Sequence, residues 1–251
     1  MTDRLSLNFR VPYYGGGTDG RMKIGALPQF FQEAAAVHAD GLGVGVAYLR
    51  ERGLTWVMRR YRINVLRPLR ASDVSVATWY EPKKNLFSVR RFEAFSGGEK
   101  LAEAWTGWIV VDLENGRPLR LDRALPKAYY DNAGHLEPDE LPHVERPGDS
   151  GGEYMYSVRR GELDVNGHVN HTVCFDWVTE SIPDEVFGDC EPAVLDAEYM
   201  LSIPRTDVTV RTERQPGELL RFLHSVVIRE TGKEAVRLST EWRRKDFGEL
   251  K

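Results

Sequence analysis

The stretch DVNGHVNHTVCFDWVTES, residues 164–181, can be laid over DGRMKIGALPQFFQEAAA, residues 19–36, at an offset of 145 positions. Few residues are identical. What the two share is an order: a polar loop containing glycine, then a helix. In the first copy Leu27, Phe30, Phe31, Ala34, Val37 and His38 recur at the i, i+3, i+4, i+7 spacing of one helix face. Pro28 suits a first turn and Gly41-Leu42-Gly43 stops the helix, so the spacing predicts a helix over 27–40. The second copy predicts one near 169–182. After the first helix come runs rich in Val, Trp, Tyr, Phe and Thr at 54–66, 73–81, 86–96 and 100–112, separated by turn-like breaks. A strand at 153–160 precedes the second helix, and strand-like runs at 193–202, 206–213, 218–230 and 234–245 follow it.

Both halves therefore read as an early strand, a helix and four further strands. The expected fold class is α+β: two tandem units, each a helix wrapped by a curved antiparallel sheet. The polar stretch 131–152, with three prolines and four glycines, reads as a connection. It divides the chain into a unit over 1–130 and a unit over 153–251.

Composition narrows the function. The 251 residues are 41% apolar and 29% charged, which suits a folded chain. A balance of 34 basic against 38 acidic side chains argues against general nucleic-acid binding. The unbroken apolar runs reach four residues, as at Trp108–Val111, whereas a membrane-spanning helix needs roughly 20. The opening MTDRLSLNFR has no basic stretch leading into an apolar one, so no targeting segment is expected and the setting expected is a bacterial cytoplasm. Two cysteines, Cys174 and Cys190, suit a reducing compartment. No phosphate loop, dinucleotide fingerprint or zinc cluster is visible, so neither metal nor organic cofactor is expected.

The loop before the second helix breaks the parallel between the units. Asp164, Asn166, His168 and Asn170 alternate with Leu163, Val165, Gly167 and Val169, so that in an extended segment the polar side chains share a face. The corresponding place in the first unit, Asp19 to Lys23, has neither His nor Asn. One reading is a helix-capping loop, for which Asp and Asn are common. The other is a hydrolytic site: acid, amide and imidazole beside a helix start whose backbone N–H groups suit an oxyanion.

GELDVNGHVNHTVCFDWVTESIP resembles the signature of the acyl-acyl-carrier-protein (acyl-ACP) thioesterases, an Asp-hydrophobic-Asn-x-His-Val-Asn-Asn loop running into a helix with Trp and Glu-Ser. The departure is His171, where that family usually has Asn. The resemblance extends to Asp19-Gly20-Arg21, to Gln32-Glu33-Ala34-Ala35, to Trp56-Val57 and to Ala104–Val111, so it spans nearly the whole chain. It implies a tandem hot-dog fold and hydrolysis of fatty acyl-ACP, which ends chain elongation. It also implies a catalytic set of Asp164, Asn166 and His168, with the family's Glu falling on Glu198. Ile203 stands where plant members have a Cys, so a cysteine nucleophile is not expected there. Cys174 is read as mid-helix and Cys190 as lying in a turn.

The mechanism expected from this set uses water, deprotonated by His168 with Glu198. Asn166 orients the carbonyl or the water, and Asp164 sets the field or attacks directly. Backbone N–H groups near Val169 would bind the oxyanion. The acyl tunnel is expected in the first unit, with Leu27, Phe30, Phe31, Val57 and Met58 as wall candidates or plain core. An acidic carrier-protein partner calls for a basic face. Candidates are Arg117, Arg120, Arg123, Lys127, Arg159 and Arg160, or the denser run Arg59, Arg60, Arg62, Arg67 and Arg70. Competing readings are an acyl-CoA thioesterase or a hydratase on the same fold, and a non-catalytic acyl-binding module. The assembly expected is a monomer or a homodimer.

Overall fold

A computed structural model describes residues 4–70, 72–82, 86–131, 143–148 and 151–245. The first unit runs β1 (Arg4–Arg10), α1 (Ala26–Gly41), α2 (Val46–Arg50), β2 (Leu54–Val65), β3 (Asp73–Pro82), β4 (Ser88–Ser96) and β5 (Glu99–Asp112). The short β6 (Pro118–Leu119), α3 (Leu121–Ala124) and α4 (Ala128–Asp131) complete it. The second runs β7 (Gly152–Ser157), α5 (Val173–Thr179), α6 (Asp184–Asp189), β8 (Cys190–Tyr199), β9 (Asp207–Arg214), β10 (Leu220–Ile228) and β11 (Lys233–Arg244).

All these strands join one antiparallel sheet in the order β1-β3-β4-β5-β2-β8-β11-β10-β9-β7, with β6 on β5. Read outward from the centre, the order of one unit repeats in the other. The units meet where β2 pairs with β8, from Arg60 opposite Glu198 to Asn64 opposite Val194. The two hot-dog sheets are thus continuous. A 3-10 turn precedes each loop, at Tyr13–Gly15 and Arg160–Glu162. Each loop is then pinched by one β-bridge, Gly16 to Met22 and Leu163 to Val169. Each turns on a glycine in the left-handed region, Gly20 at φ 72° and Gly167 at φ 74°. These pairs lie 147 positions apart, not the 145 of the sequence overlay. The structural counterpart of His168 is therefore Arg21.

α1 buries Leu27, Phe31, Ala34, Ala35 and His38 against the sheet. Phe31 meets Phe92 with ring centroids 4.9 Å apart, and both are buried. Such side chains each contribute roughly 1.5–3 kcal/mol by leaving water. The second helix is shorter than the spacing predicts. Its expected first residues are held instead by the Val169 bridge and by Asn170, whose Oδ1 accepts from the Thr172 backbone at 3.0 Å. At the other end Pro183 blocks continuation, and the chain restarts as α6 with Asp184 and Glu185 in its first turn. Cys190 opens β8 and does not lie in a turn. Of the expected connection, residues 132–142 and 149–150 lie outside the described residues. Residues 143–148 lie across the outer face of the second sheet: the Val144 N–H donates to Glu198 on β8 and the Gly148 N–H to Glu213 on β9.

Candidate active site

The loop at 163–170 is built around one carboxylate. Asp164 Oδ1 accepts the backbone N–H of Asn166 at 2.7 Å and, more weakly, that of His168 at 3.5 Å. The Asp164 N–H donates to the His168 carbonyl at 2.7 Å, closing the turn that Gly167 makes. Asp and Asn favour such local rings over regular structure, which is why the helix waits until Val173. The loop is tied to the second unit by Val169 N–H donating to Ile203 O at 2.8 Å. It is tied to the first unit by Arg50 of α2, whose Nη2 donates to Val165 O at 2.6 Å and to Asn166 Oδ1 at 3.1 Å. With Oδ1 engaged, the Asn166 amide presents Nδ2–H as its remaining group, a donor. The His168 ring makes no hydrogen bond to the described residues and lines a cavity of about 1000 Å³.

That cavity crosses the junction between the units. From the second unit it is lined by the loop and by Tyr199 to Ile203, and from the first by α1, β2 and β4. α1 offers it Ala35, Ala36 and Ala39 with the polar Gln32 and Asp40, while the large apolar residues Leu27 and Phe31 of that helix fill the core. Val57 and Met58 line the cavity. Leu27, Phe30 and Phe31 do not: Leu27 and Phe31 are buried in the core, and Phe30 stacks on Phe9 at 4.9 Å. His171 faces the cavity inside a ring of Tyr61, Trp108 and Tyr199, with centroids 5.9–6.0 Å away. Burial lowers its pKa to about 4, so it is neutral near pH 7. Cys174 also reaches the wall, but burial pushes its thiol up to about 12 and denies it thiolate character.

Two of the expected roles do not survive the geometry. Glu198 is not at the cavity. On β8 the side chains alternate, so Tyr199 points inward, its hydroxyl donating to the His171 carbonyl, while Glu198 points out of the opposite face. There Glu198 meets His143 Nδ1 at 2.8 Å, the Val144 N–H at 3.2 Å and Arg60 at 3.5 Å. Burial raises its pKa, but these partners outweigh it and hold the carboxyl below the usual range. Glu198 cannot share a water with His168 from that side. The Val169 N–H is not an oxyanion donor either, because the Ile203 carbonyl occupies it.

Sequence reasoning missed Arg50 and the cavity-facing run Met200, Leu201 and Ser202. The alternation Leu195-Asp196-Ala197-Glu198-Tyr199 carried the signal that Glu198 and Tyr199 face opposite ways. Nothing local marked Arg50. In the first unit the counterpart of His168, Arg21, is buried and paired with Glu191, which also takes Arg243 at 2.9 Å. One copy of the loop is thus locked by ion pairs and the other opens on the cavity.

Residues 3–129 match the acyl-ACP thioesterase N-terminal domain, and residues 146–244 match the C-terminal domain. The chain belongs to the acyl-ACP thioesterase family. Among curated acyl-ACP thioesterases, it is 24% identical to oleoyl-acyl carrier protein thioesterase 2 of Arabidopsis thaliana, over 94% of this chain and 76% of that one. It is 28% identical to an acyl-[acyl-carrier-protein] hydrolase of Cuphea viscosissima, over 96% of this chain but 63% of that one. Among solved acyl-ACP thioesterases, the 12:0-ACP thioesterase of Umbellularia californica superposes with a TM-score of 0.85 at 25% identity, covering 96% of this chain and 98% of that one. Among the described residues of this member of the family, no helix is long and apolar enough to cross a membrane.

Proposed function

We propose that the chain hydrolyses the thioester of a fatty acyl group carried on acyl carrier protein, with Asp164, Asn166 and His168 as its working loop. The observation that carries this reading is the placement of His168 and Asn166 on the wall of a cavity of about 1000 Å³ that runs between the units. The acyl chain lies in the cavity with its thioester at the loop. His168, whose ring has no protein partner among the described residues, takes the proton of an attacking water and returns it to the leaving thiolate. Asn166 Nδ2–H donates to the carbonyl oxygen as it gains charge. Asp164 holds the backbone of both residues through Oδ1 and acts as a positioning residue.

The carrier protein docks at the mouth. Several arginines considered for docking are already engaged: Arg60 and Arg62 with Asp196, Arg67 with Glu99, Arg120 with Asp122 and Arg159 with Glu162. Arg50 and Arg59 line the cavity and are the cations nearest an incoming acidic partner.

The test is hydrolysis of a panel of acyl-ACP thioesters by the wild type and by His168→Ala, with acyl-CoA of the same lengths alongside. Cleavage of the carrier-protein esters by the wild type, lost in a folded variant, supports the reading. A wild type that binds acyl groups and hydrolyses none of them refutes it.

A further inference from the structure

The wall of the cavity inside the first unit carries a charge that the reaction does not use. On β4 the inward residues are Ser88, Arg90, Phe92 and Ala94, all buried. Phe92 and Ala94 pack in the core, whereas Ser88 and Arg90 line the cavity. β4 is separated from β2, the junction strand, by β5 alone, so Arg90 stands roughly 10 Å in from the junction at ordinary strand spacing. It is 6% exposed, and no carboxylate among the described residues lies within ion-pair distance of it.

Its hydrogen bonds are one-sided. Nη1 meets His38 Nδ1 at 2.9 Å and Thr78 Oγ1 at 3.3 Å, which uses both of its hydrogens. Nε and Nη2 have no partner among the described residues, and neither is sealed in protein. Those two N–H groups form the side-on fork that matches the two oxygens of a carboxylate. A hydrocarbon end placed there would leave a desolvated cation facing methylene groups, which is costly.

The sister unit shows that the fold does not require this charge. Arg90 pairs with Thr106 and Tyr80, and in the second unit Phe222 pairs with Thr240 and Arg214. Thr106 and Thr240 each accept the indole N–H of the tryptophan two residues on, at 2.7 and 2.9 Å, which fixes the correspondence. Where the second unit buries Phe222, the first has placed a guanidinium on the wall of a cavity.

We infer that Arg90 is a subsite for a carboxylate at the far end of the acyl chain, so that the preferred substrate is an acyl thioester with an acidic terminus and not a methyl one. This rests on the thioesterase reading for the reaction but not for the binding. The chain enters with its thioester at His168, and the distal carboxylate takes the Nε and Nη2 fork.

The experiment compares ω-carboxyl and methyl-terminated acyl-ACP of matched lengths on the wild type, Arg90→Met and Arg90→Lys. Binding of the free diacids and monoacids is read in parallel as a shift in Tm. The wild type should favour the ω-carboxyl series by on the order of tenfold or more in kcat/KM at the best length. R90M should lose that preference and gain on methyl-terminated chains, and R90K should fall between, keeping the charge without the fork. A wild type that prefers methyl-terminated chains at every length overturns the inference whether or not R90M folds, as does an R90M that keeps the wild-type ratio. If neither series is hydrolysed but diacids raise the Tm of the wild type and not of R90M, the thioesterase reading falls while the carboxylate subsite stands.

Discussion

Arg50 is the sharpest place to test whether the two units must cooperate. It lies on α2 of the first unit, yet it holds Val165 O and Asn166 Oδ1 of the second, 115 and 116 positions away. Arg50→Ala removes both bonds and frees the Asn166 amide to rotate. A hydrogen bond from a charged donor contributes roughly 1.5–3 kcal/mol. Arg50 and Asn166 are both exposed, so solvent screening reduces this to about 1 kcal/mol. Spent on orienting a donor in the transition state, that is about a fivefold loss in kcat. Arg50 is not part of the core, so the Tm should fall by no more than about 2–4 °C. The assay is steady-state hydrolysis of one acyl-ACP with kcat and KM separated, for Arg50→Ala, Asn166→Ala and the double variant. If Arg50 acts through Asn166, the double variant should be no worse than Asn166→Ala alone. A kcat unchanged in Arg50→Ala, or losses that simply multiply in the double variant, would refute the coupling. A rise confined to KM would instead assign Arg50 to carrier-protein docking.

Two further outcomes follow from the titratable groups. Glu198→Gln should leave turnover close to wild type, because Glu198 faces away from the cavity, while lowering stability above about pH 4.5. The folded carboxyl is held below its unfolded value, so its contribution is complete above that value and is lost as pH falls through the folded one. The difference in Tm between wild type and variant should therefore shrink in acid. His171→Asn tests a depressed imidazole. The folded pKa of about 4 lies below the ordinary imidazole value of 6.5, so the unfolded chain takes the proton first and stability drops as pH falls between them. The wild type should lose up to about 3 kcal/mol there that the variant does not. His224, neutral between Thr212 and Thr240 with a pKa of about 3, contributes a slope in the same direction to both proteins and cancels in the comparison. Equal slopes in urea melts from pH 7 to pH 4 would show that His171 is not desolvated in solution.

Much of this architecture is legible in one dimension because its causes are local. The 3.6-residue spacing of Leu27, Phe31, Ala34 and His38 makes α1, and alternation makes the strands. Their boundaries agree with the sequence reading to within about three residues over most of the sheet. The polar alternation from Asp164 to Asn170 is equally local, since the Asp164 carboxylate reaches only its neighbours. The two-position error in overlaying the units arose because loops of the same shape share almost no residues. It is the bridges and the positive-φ glycines that align them.

Whatever depends on which face of one element meets another was decided by tertiary structure. Alternation places Glu198 opposite Tyr199, but only the pairing of β2 with β8 and the position of the loop beneath it determine which of the two reaches the cavity. The spacing on α1 nominates Phe30 and Phe31 as readily as Ala35 and Ala39. The packing against the sheet fills the space beside the large residues and leaves it beside the small ones. Arg50 meets Asn166, and Arg90 stands without a counter-ion among the described residues, through the closure of chain segments far apart in order. Local propensity and periodicity act over a few residues and can be read along the chain. A cavity is what several distant segments leave unfilled between them, and no single segment encodes it.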